Sequence, residues 1–381
     1  MSGLAPARSG NAGLMGRDDG VLVIGGSAGG IEALVELVAQ LPRDLPACVL
    51  VTVHIGGNAR SNLPGILARS GPLPAAHARH GEPLRRGRIY VAPPDLHLLA
   101  VNDVARLSSG PRVNRHRPAI DVMFASAARW AGPRVTAVVL SGLLDDGAIG
   151  SALVARAGGR VVVQDPADAP FDSMPRSALV AVPDATTAPV AGLGKVVTET
   201  VGELRDRSRT GRGDDGIGVA VNRKIVDAQL REQRGGPEMH EARMGDSDDP
   251  GFMSADEVRL TRMSCPECSG GLAEIDLSGL RYYRCHVGHQ YGPQSLEAAQ
   301  REAVEAKLWA AAAALEEHAA LARHLASVPN RAVGQEAAGG YRRLADESSS
   351  TANSLLSRLQ NREGSPPAIA DDTERKAAAD A

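Results

Sequence analysis

The feature that most constrains the fold is an apolar run that breaks into glycines and continues as an amphipathic helix. Residues 21–30 read VLVIGGSAGG, and the segment IEALVELVAQL that follows has apolar residues at helical spacing. An apolar run without polar alternation predicts a strand buried on both faces, as in a parallel sheet. A sharp turn from this strand into the helix would place Ser27 above the sheet, beside the N-terminus of the helix.

Three interpretations of Ser27 compete. In the first, the serine caps the helix, which is the common role of serine in a Gly/Ser turn. In the second, the turn binds phosphate, but the glycines fit neither G-x-G-x-x-G nor a loop that ends in Gly-Lys-Ser/Thr. In the third, Ser27 is a nucleophile, because residues 25–29 satisfy G-x-S-x-G on the strand, turn and helix that this motif requires. The short motif alone leaves the choice open.

Between residues 19 and 200, short apolar runs alternate with helical patterns. This alternation predicts a doubly wound α/β domain with a mainly parallel sheet. Strands are predicted at 47–54, 88–94, 135–142 and 160–165, a hairpin at 97–108, and helices at roughly 58–70, 118–131, 148–157 and 174–182. Sites in such domains lie at the carboxyl ends of the strands.

Two other strand ends carry polar side chains at the sheet edge expected for Ser27. His54 directly follows the second strand, and a later strand leads into Asp145 and Asp146. Because the carboxyl ends of parallel strands meet at one edge, a hydroxyl, an imidazole and a carboxylate are expected together. Every histidine after Asp146 lies outside the α/β domain, so a triad would run Ser27, His54, Asp146. For each residue alone, an ordinary polar strand end is the simpler interpretation.

Residues 19–190 resemble the catalytic domain of the chemotaxis protein-glutamate methylesterases, the CheB family. The matching segments, in family order, are VIGGSAGGIEAL, VTVHIG, GEPLRRGRIYVAPPDLHL, NRHRPAIDVMFASAA, VVLSGLLDDGAIG and VVVQDPADAPFDSMPRSAL. The resemblance implies that Ser27 is the nucleophile, His54 its base and Asp146 the acid. It also implies that backbone N–H groups around Leu143 contribute to an oxyanion hole, and that catalysis needs no cofactor.

The activity implied by the resemblance is hydrolysis of γ-glutamyl methyl esters, with glutamine deamidation through the same acyl-enzyme as a second reaction. The implied partners are the methylated cytoplasmic regions of chemoreceptors or other signalling proteins. His116, Arg117 and Arg176 lie in matching segments and are candidates for the substrate cleft, with salt-bridged loop residues as an equal alternative. Asp145 is expected to be a solvated neighbour of the acid.

The chain departs from the family pattern at several positions. Ala28 replaces the usual threonine after the nucleophile, Val53 replaces the glutamine that commonly precedes the histidine, and Leu143-Leu144 replaces the usual Met-Gly. These changes leave the loop geometry and the substrate fit open. About eighteen residues precede the domain, which is too few for the phospho-receiver domain of typical members, so a flexible leader is expected there instead.

Three of the four cysteines lie in segment 263–292, which indicates a metal site and not a disulfide framework. The pairs CPEC and CHVGH have ligand spacing, and the segment is too short to fold around a core without a metal. A zinc-ribbon-like module is therefore predicted to bind structural Zn²⁺ through four ligands: Cys265, Cys268, Cys285 and His289. His286 is the alternative fourth ligand, and free cysteines in a small helical domain are the competing interpretation.

The remaining segments have simpler patterns. Residues 201–262 are charged and glycine-rich without a sustained period, which predicts a mostly disordered linker. Helical periodicity predicts a helical hairpin at 293–362, and a polar, alanine-rich tail occupies 363–381.

Composition argues against several classes of partner. A net charge of -3 and only 3% aromatic residues give no reason to expect nucleic acid binding. No apolar run reaches the length of a membrane span, and the polar N-terminus lacks the apolar segment of a signal peptide. A cytoplasmic protein without membrane insertion is therefore expected.

Two other functions compete with the esterase. A non-catalytic CheB-like signalling adaptor would keep the fold and act through its C-terminal module. Ala28 and Leu144 keep this alternative open, whereas Ser27, His54 and Asp146 argue against it. A dinucleotide-binding enzyme is less favoured, because the second strand ends in histidine and not in the acid that would bind a ribose.

Overall fold

The computed structural model describes residues 15–54, 62–209, 258–277, 279–327 and 335–360. The predicted leader at 1–18, linker at 201–262 and tail at 363–381 lie wholly or mostly outside these residues. The chain divides into two compact units, Met1–Glu297 and Ala298–Ala381.

The first unit is built on a parallel β-sheet. In chain order, its described strands before residue 209 are β1 (Gly20–Gly26), β2 (Ala47–Val53), β3 (Ala75–His77), β4 (Ile89–Val91), β5 (His97–Val101), β6 (Val104–Ser108), β7 (Val135–Val139), β8 (Arg160–Gln164) and β9 (Thr186–Ala188). Seven of these form a sheet of order β3-β4-β2-β1-β7-β8-β9 in which all neighbours are parallel. The other two, β5 and β6, form the predicted hairpin.

Helices cover both faces of this sheet. They are α1 (Gly30–Gln40), α2 (Leu63–Ser70), α3 (Ile120–Ala131), α4 (Ala148–Arg156), α5 (Ser173–Ala181) and α6 (Val190–Arg209). One group, α1, α2 and α6, packs on one face, and α3, α4 and α5 pack on the other. The doubly wound α/β prediction is thus confirmed. The predicted boundary at residue 200 falls inside α6, which continues to Arg209.

The central strands define where the site lies. β1 pairs with β2 on one side and with β7 on the other. The strand order therefore changes direction at β1, and in such sheets ligands bind at the carboxyl end of the strand where this happens. Every residue of β1 and β2 is buried, as their apolar sequences predict. In the register, Gly25 of β1 lies opposite Thr52 of β2 and Val139 of β7, so the three strands end at the same level.

The cysteine segment forms a second, antiparallel sheet in the same unit. Its strands are β10 (Val258–Ser264), β11 (Gly271–Leu277), β12 (Leu280–Cys285) and β13 (Gln290–Tyr291). The sheet starts at Val258, inside the segment predicted as linker. An isolated parallel bridge between Val113 and Gln290 connects β13 to the loop before α3.

Two helices follow, α7 (Pro293–Ser327) and α8 (Gln335–Gln360). Within the second unit they pack through small side chains, because Ala319 and Ala322 of α7 form a buried cluster with Ala345 of α8. Nδ1 of His318 also lies 3.1 Å from Oγ of Ser348. None of the helices that the structure describes combines the length and apolar character needed to cross a membrane.

Candidate active site and metal centre

Ser27 is the first residue after β1, in the turn that leads into α1. This turn needs glycine at two positions: Gly29 has a left-handed backbone with φ of 70°, and a Cβ on Gly30 would lie 2.9 Å from the carbonyl oxygen of Ser141. Gly29 is the N-cap of α1, which has no side-chain cap. Ser27 is therefore not a helix cap, and its hydroxyl contacts His54 instead.

Ser27, His54 and Asp146 form one chain of hydrogen bonds. Oγ of Ser27 lies 3.2 Å from Nδ1 of His54, and Nε2 of His54 lies 2.8 Å from Oδ2 of Asp146. An imidazole that donates its Nε2–H to the carboxylate keeps a lone pair on Nδ1, directed at the serine hydroxyl. The structure thus brings together the three residues that were expected at one sheet edge.

Asp146 is buried and accepts four hydrogen bonds. Besides His54, the donors are the N–H groups of Ile120 (2.8 Å) and Asp121 (3.0 Å) and Nδ2 of Asn114 (2.9 Å). The two N–H groups belong to the first turn of α3, where the helix dipole favours a negative charge. Burial alone would raise the pKa of Asp146, but the hydrogen bond and charge of His54, the nearby His116 and the N–H of Ile120 hold the pKa below its ordinary value. Asp146 is therefore ionised and orients His54.

Asn114 and Asp121 complete this environment, and neither was predicted as a site residue. Nδ2 of Asn114 bridges Oδ1 of Asp146 and Oδ2 of Asp121, at 2.9 and 2.7 Å. Oδ1 of Asp121 accepts hydrogen bonds from the N–H groups of Gly147 (3.0 Å) and Gly150 (2.6 Å). Burial and the adjacent charge of Asp146 raise the pKa of Asp121. The sole sequence signal for both residues is their place in the NRHRPAID segment that resembles the CheB family.

His116 stacks on the imidazole of His54. The ring centroids lie 3.6 Å apart and the planes are inclined by 10°. The pKa of His116 is lowered to about 4, mainly by burial and to a smaller extent by the charge of the nearby His54. His116 is therefore a neutral ring at neutral pH, and one flat face of His54 is covered by it.

An open cleft of about 630 Å³ lies beside Ser27 and His54. Three arginines, Arg112, Arg115 and Arg117, line it together with the stacked His116. The cleft is therefore accessible to a substrate and contains more positive than negative side chains, because Glu32 and Asp95 are the carboxylates that also line it.

Two of the predicted cleft residues are held by ion pairs. Arg117 lines the cleft, but its Nη2 donates to Oδ1 of Asp95 at 2.9 Å and its Nη1 to the carbonyl oxygen of Gly110 at 2.9 Å. Arg176 lies on the exposed side of α5, where its Nε donates to Oδ2 of Asp172 at 2.6 Å. Arg176 is not among the described residues that line the cleft.

Backbone donors for an oxyanion are limited around Ser27. The N–H groups of Ser27 and Gly142 donate to backbone carbonyl oxygens at 2.9 Å and are already used. Those of Ala28 and Leu143 donate to no residue that the structure describes. Leu143 lies in the loop after β7 and is 54% exposed.

The same loop contains Leu144, which has a left-handed backbone with φ of 66°. This conformation costs a residue with a Cβ about 1 kcal/mol or more. The loop is anchored on α5, because the carbonyl oxygen of Leu144 accepts hydrogen bonds from the hydroxyls of Ser173 (3.0 Å) and Ser177 (3.2 Å). The structure thus contains the Leu144 side chain, which replaces the usual glycine, in a strained backbone conformation.

The expectation that Asp145 is a solvated neighbour is wrong, because this residue is 5% exposed. Its carboxylate accepts hydrogen bonds from the N–H groups of Gln294 (2.9 Å) and Ser295 (3.2 Å) and from the hydroxyl of Ser295. Asp145 therefore caps the N-terminus of α7, which the sequence pattern did not reveal. His54 bonds to Asp146 and not to Asp145.

The candidate metal ligands also come together, since the ligand atoms of Cys265, Cys268, Cys285 and His289 lie within 4.8 Å of one another. Nδ1 of His289 lies 3.6 Å from Sγ of both Cys265 and Cys285, and Sγ of Cys268 lies 3.6 Å from Sγ of Cys285. Such separations fit a tetrahedral ion with bonds of about 2.3 Å to sulfur and about 2.0 Å to nitrogen. The group could hold a metal ion.

The surroundings of His289 are compatible with a metal ligand. Its other ring nitrogen, Nε2, lies 3.4 Å from Oε2 of Glu267, and a carboxylate behind a ligating histidine is a common arrangement. His286, the alternative ligand, packs against Gly270, where a Cβ would overlap its ring. Among the described residues, the group that could hold a metal ion contains His289 and not His286.

Comparisons with known proteins agree with this geometry. Residues 22–197 match the family model described as CheB methylesterase. The "Protein-glutamate methylesterase/protein-glutamine glutaminase 2" of Anaeromyxobacter dehalogenans (strain 2CP-C) is 42% identical over 159 residues, 42% of this chain and 47% of that protein. A "Protein-glutamate methylesterase/protein-glutamine glutaminase 3" of Burkholderia lata is 36% identical over 191 residues, 49% of this chain and 52% of that protein. The chain thus spans about half the length of these curated relatives.

Among solved structures, the Thermotoga maritima CheB methylesterase catalytic domain is similar, with a TM-score of 0.46 and 29% identity over 48% of this chain and 98% of that one. The family match begins in β1 and ends in α6, so it contains the parallel sheet except for Gly20 and Val21. It also contains the serine, the histidine and the aspartate of the hydrogen-bonded chain. Residues 22–197 of this chain therefore match the CheB methylesterase family.

Proposed function

We propose that this protein is a serine esterase that hydrolyses γ-glutamyl methyl esters on a methylated signalling protein. The observation that carries the proposal is the hydrogen-bonded chain from Ser27 through His54 to Asp146, inside a CheB methylesterase segment. Curated relatives of that segment are named protein-glutamate methylesterase/protein-glutamine glutaminase.

In the first half of the reaction, Nδ1 of His54 takes the hydroxyl proton of Ser27 while Oγ attacks the γ-carbonyl carbon. Asp146 holds the imidazole with its hydrogen on Nε2 and stabilises the imidazolium that forms. The bond to the methoxy group then breaks, and the imidazolium gives its proton to this leaving group. Methanol departs, and the glutamyl side chain remains as an ester on Ser27.

In the second half, His54 takes a proton from a water molecule that attacks the acyl-enzyme. The bond to Oγ breaks, the imidazolium returns its proton to Ser27, and a glutamate side chain is released. A glutamine side chain would form the same acyl-enzyme with loss of ammonia. Deamidation is therefore the second reaction that we propose for this site.

Ala28 and Leu143 supply the proposed oxyanion hole. Their N–H groups donate to no described residue, in contrast to those of Ser27 and Gly142. A donor of this kind contributes roughly 3–4 kcal/mol to the stability of the transition state. The replacement of threonine by Ala28 removes a hydroxyl but keeps the backbone donor, so this departure does not favour a non-catalytic adaptor.

The proposed substrate is the methylated cytoplasmic region of a chemoreceptor or of another signalling protein. Arg112 and Arg115 line the same cleft as Ser27, and although Arg112 lies 3.8 Å from Oδ1 of Asp95, the excess of positive charge favours a segment rich in carboxylates. The product of each turnover is a further carboxylate. Arg117 supports the shape of the cleft through its ion pair with Asp95.

The cysteine module is the zinc-ribbon-like segment 263–292, and its proposed metal is Zn²⁺, bound by Cys265, Cys268, Cys285 and His289. Three thiolates and one imidazole suit zinc, and four protein ligands leave no open position for a substrate. When bound, the ion would hold β10 to β13 together as a structural element. The chemistry at Ser27 needs no metal in this scheme.

The proposal is tested with purified protein and methylated receptor fragments. The wild-type protein should release methanol and leave unmethylated glutamates, detected by mass spectrometry, whereas Ser27→Ala should release none. Equal release by both proteins would contradict the role of Ser27. A fluorophosphonate probe should label wild-type protein at Ser27, and absence of labelling would favour the non-catalytic adaptor.

A further inference from the structure

Asn114 connects the acid of the triad to the cysteine module. Its Nδ2 donates to Oδ1 of Asp146 at 2.9 Å, while its Oδ1 accepts a hydrogen bond from the N–H of Gly292 at 2.8 Å. Its own N–H donates to the carbonyl oxygen of Gln290 at 2.8 Å. Asn114 is only 1% exposed, so water does not compete for these bonds.

Gly292 also contacts Asp145, the residue that precedes Asp146 in the sequence. A Cβ on Gly292 would overlap the carboxylate of Asp145, so the backbone of the module lies directly against this side chain. The residues that follow at the start of α7, Gln294 and Ser295, donate their N–H groups to the same carboxylate. The segment 290–295 thus contacts both Asn114, which donates to Asp146, and Asp145, which precedes Asp146 in the sequence.

The amide of Asn114 can face only one way in this environment. Both hydrogens of Nδ2 point at carboxylates, those of Asp146 and Asp121, and Oδ1 faces the N–H of Gly292. Exchange of the two ends would put an oxygen against two carboxylates and an NH₂ group against an N–H. Buried polar groups without a partner are costly, so the two carboxyl groups and the N–H of Gly292 together select the orientation that donates to Asp146.

We propose that Asn114 is a positioning residue for the esterase reaction, and that the cysteine module completes the active site by fixing this amide through Gly292. Asn114 touches neither the ester nor Ser27. It acts by holding the carboxylate that orients His54 and by keeping two buried carboxyl groups apart. The turnover measurements below rest on the proposed function, whereas the labelling of Ser27 does not.

The test compares three variants of the full chain. Asn114→Ala removes the amide, Gly292→Ala forces the module away from Asp145, and Gly271→Ala is the matched control in β11, because a Cβ there meets nothing within 4 Å. The first two should lower kcat about ten- to a hundredfold, as expected for loss of a hydrogen bond to a charged group, with KM within about twofold. They should slow fluorophosphonate labelling of Ser27 by the same factor, and Gly271→Ala should change neither rate.

Asn114→Asp keeps the shape and the acceptor for Gly292 but has no N–H for Asp146, so it serves if Asn114→Ala does not fold. Wild-type labelling rates in the folded Asn114 and Gly292 variants would overturn the proposal, even if their melting temperatures fell. A change in KM alone would also overturn it. If wild-type protein labels at Ser27 but releases no methanol, the proposed substrate fails, and the labelling rates still decide the role of Asn114.

Discussion

The rings of His116 and His54 lie face to face, 3.6 Å apart between centroids and inclined by 10°. The stack limits the rotation of His54 about its side-chain bonds, and both nitrogens of His54 are engaged at the same time by Ser27 and Asp146. Because the pKa of His116 is lowered to about 4, chiefly by burial, the ring that covers His54 carries no charge at neutral pH. A neutral neighbour does not oppose the charge that His54 gains when it takes the serine proton.

We therefore expect the flat ring of His116 to matter more than its nitrogens. His116→Ala should lower kcat about tenfold, because His54 loses a packing surface and samples unproductive rotamers. His116→Phe keeps an aromatic face and should retain most of the activity. Steady-state methanol release measures both, and similar losses in the two variants would point to a polar role for His116 instead.

A second prediction concerns stability in mild acid. His97 is fully buried, with Nε2 3.0 Å from the carbonyl oxygen of Pro111 and Nδ1 accepting the N–H of Ala119 at 3.2 Å. Burial lowers the pKa of His97 from 6.5 to about 4. Between these values the unfolded chain binds a proton that the folded protein does not, so stability is complete above pH 6.5 and is lost as the pH falls toward 4. The loss at pH 4 is roughly 3 kcal/mol for this group.

Urea unfolding at pH 7.5 and at lower pH measures this dependence. His97→Gln removes the titrating group and should flatten the fall in unfolding free energy between pH 6.5 and 4, although it lowers stability at pH 7.5. His80→Gln is the control for the replacement of an exposed histidine. An unaltered slope in His97→Gln would show that other groups govern the acid sensitivity.

The metal prediction can be decided with two neighbouring histidines. His289 belongs to the group of four ligand atoms, whereas His286 packs against Gly270. His289→Ala should lose bound zinc and lower the melting temperature, and His286→Ala should keep one zinc per chain. Elemental analysis after dialysis, with thermal unfolding in the presence and absence of a chelator, measures both. Retention of zinc by His289→Ala with loss from His286→Ala would reverse the assignment.

The sequence predicts the parts of the site that depend on single strands and fails where contacts span distant segments. Ser27 and His54 directly follow buried strands, so strand order alone puts them at one edge. Asn114 lies in an irregular loop, and its amide is fixed by Gly292, 178 residues further along the chain. Neither the periodicity nor the spacing of the sequence predicts the contact between Asn114 and Gly292. The burial of Asp145 has the same origin, because its partners begin α7.

Shorter elements were missed for a different reason. β3 and β9 have three residues each, which is too few to establish an alternating pattern. They form the two edges of the sheet, where pairing with a longer neighbour and not the local sequence determines the strand. The predicted end of the domain at residue 200 falls within α6, because the charged residues of its last turns resemble a linker in composition.

The last prediction concerns backbone strain at Leu144, in the loop that precedes Asp145 and Asp146. Leu144 has φ of 66°, a conformation that glycine adopts without cost, while its neighbour Leu143 is not among the residues with positive φ. Leu144→Gly should therefore raise the unfolding free energy by up to about 1 kcal/mol, reduced by the packing that its half-buried side chain loses. Leu143→Gly should lower it by about 0.5–1 kcal/mol, because glycine only adds freedom to the unfolded chain there. Chemical unfolding of both variants gives the comparison. Destabilisation of similar size in the two would mean that the packing of Leu144 outweighs the strain of its backbone.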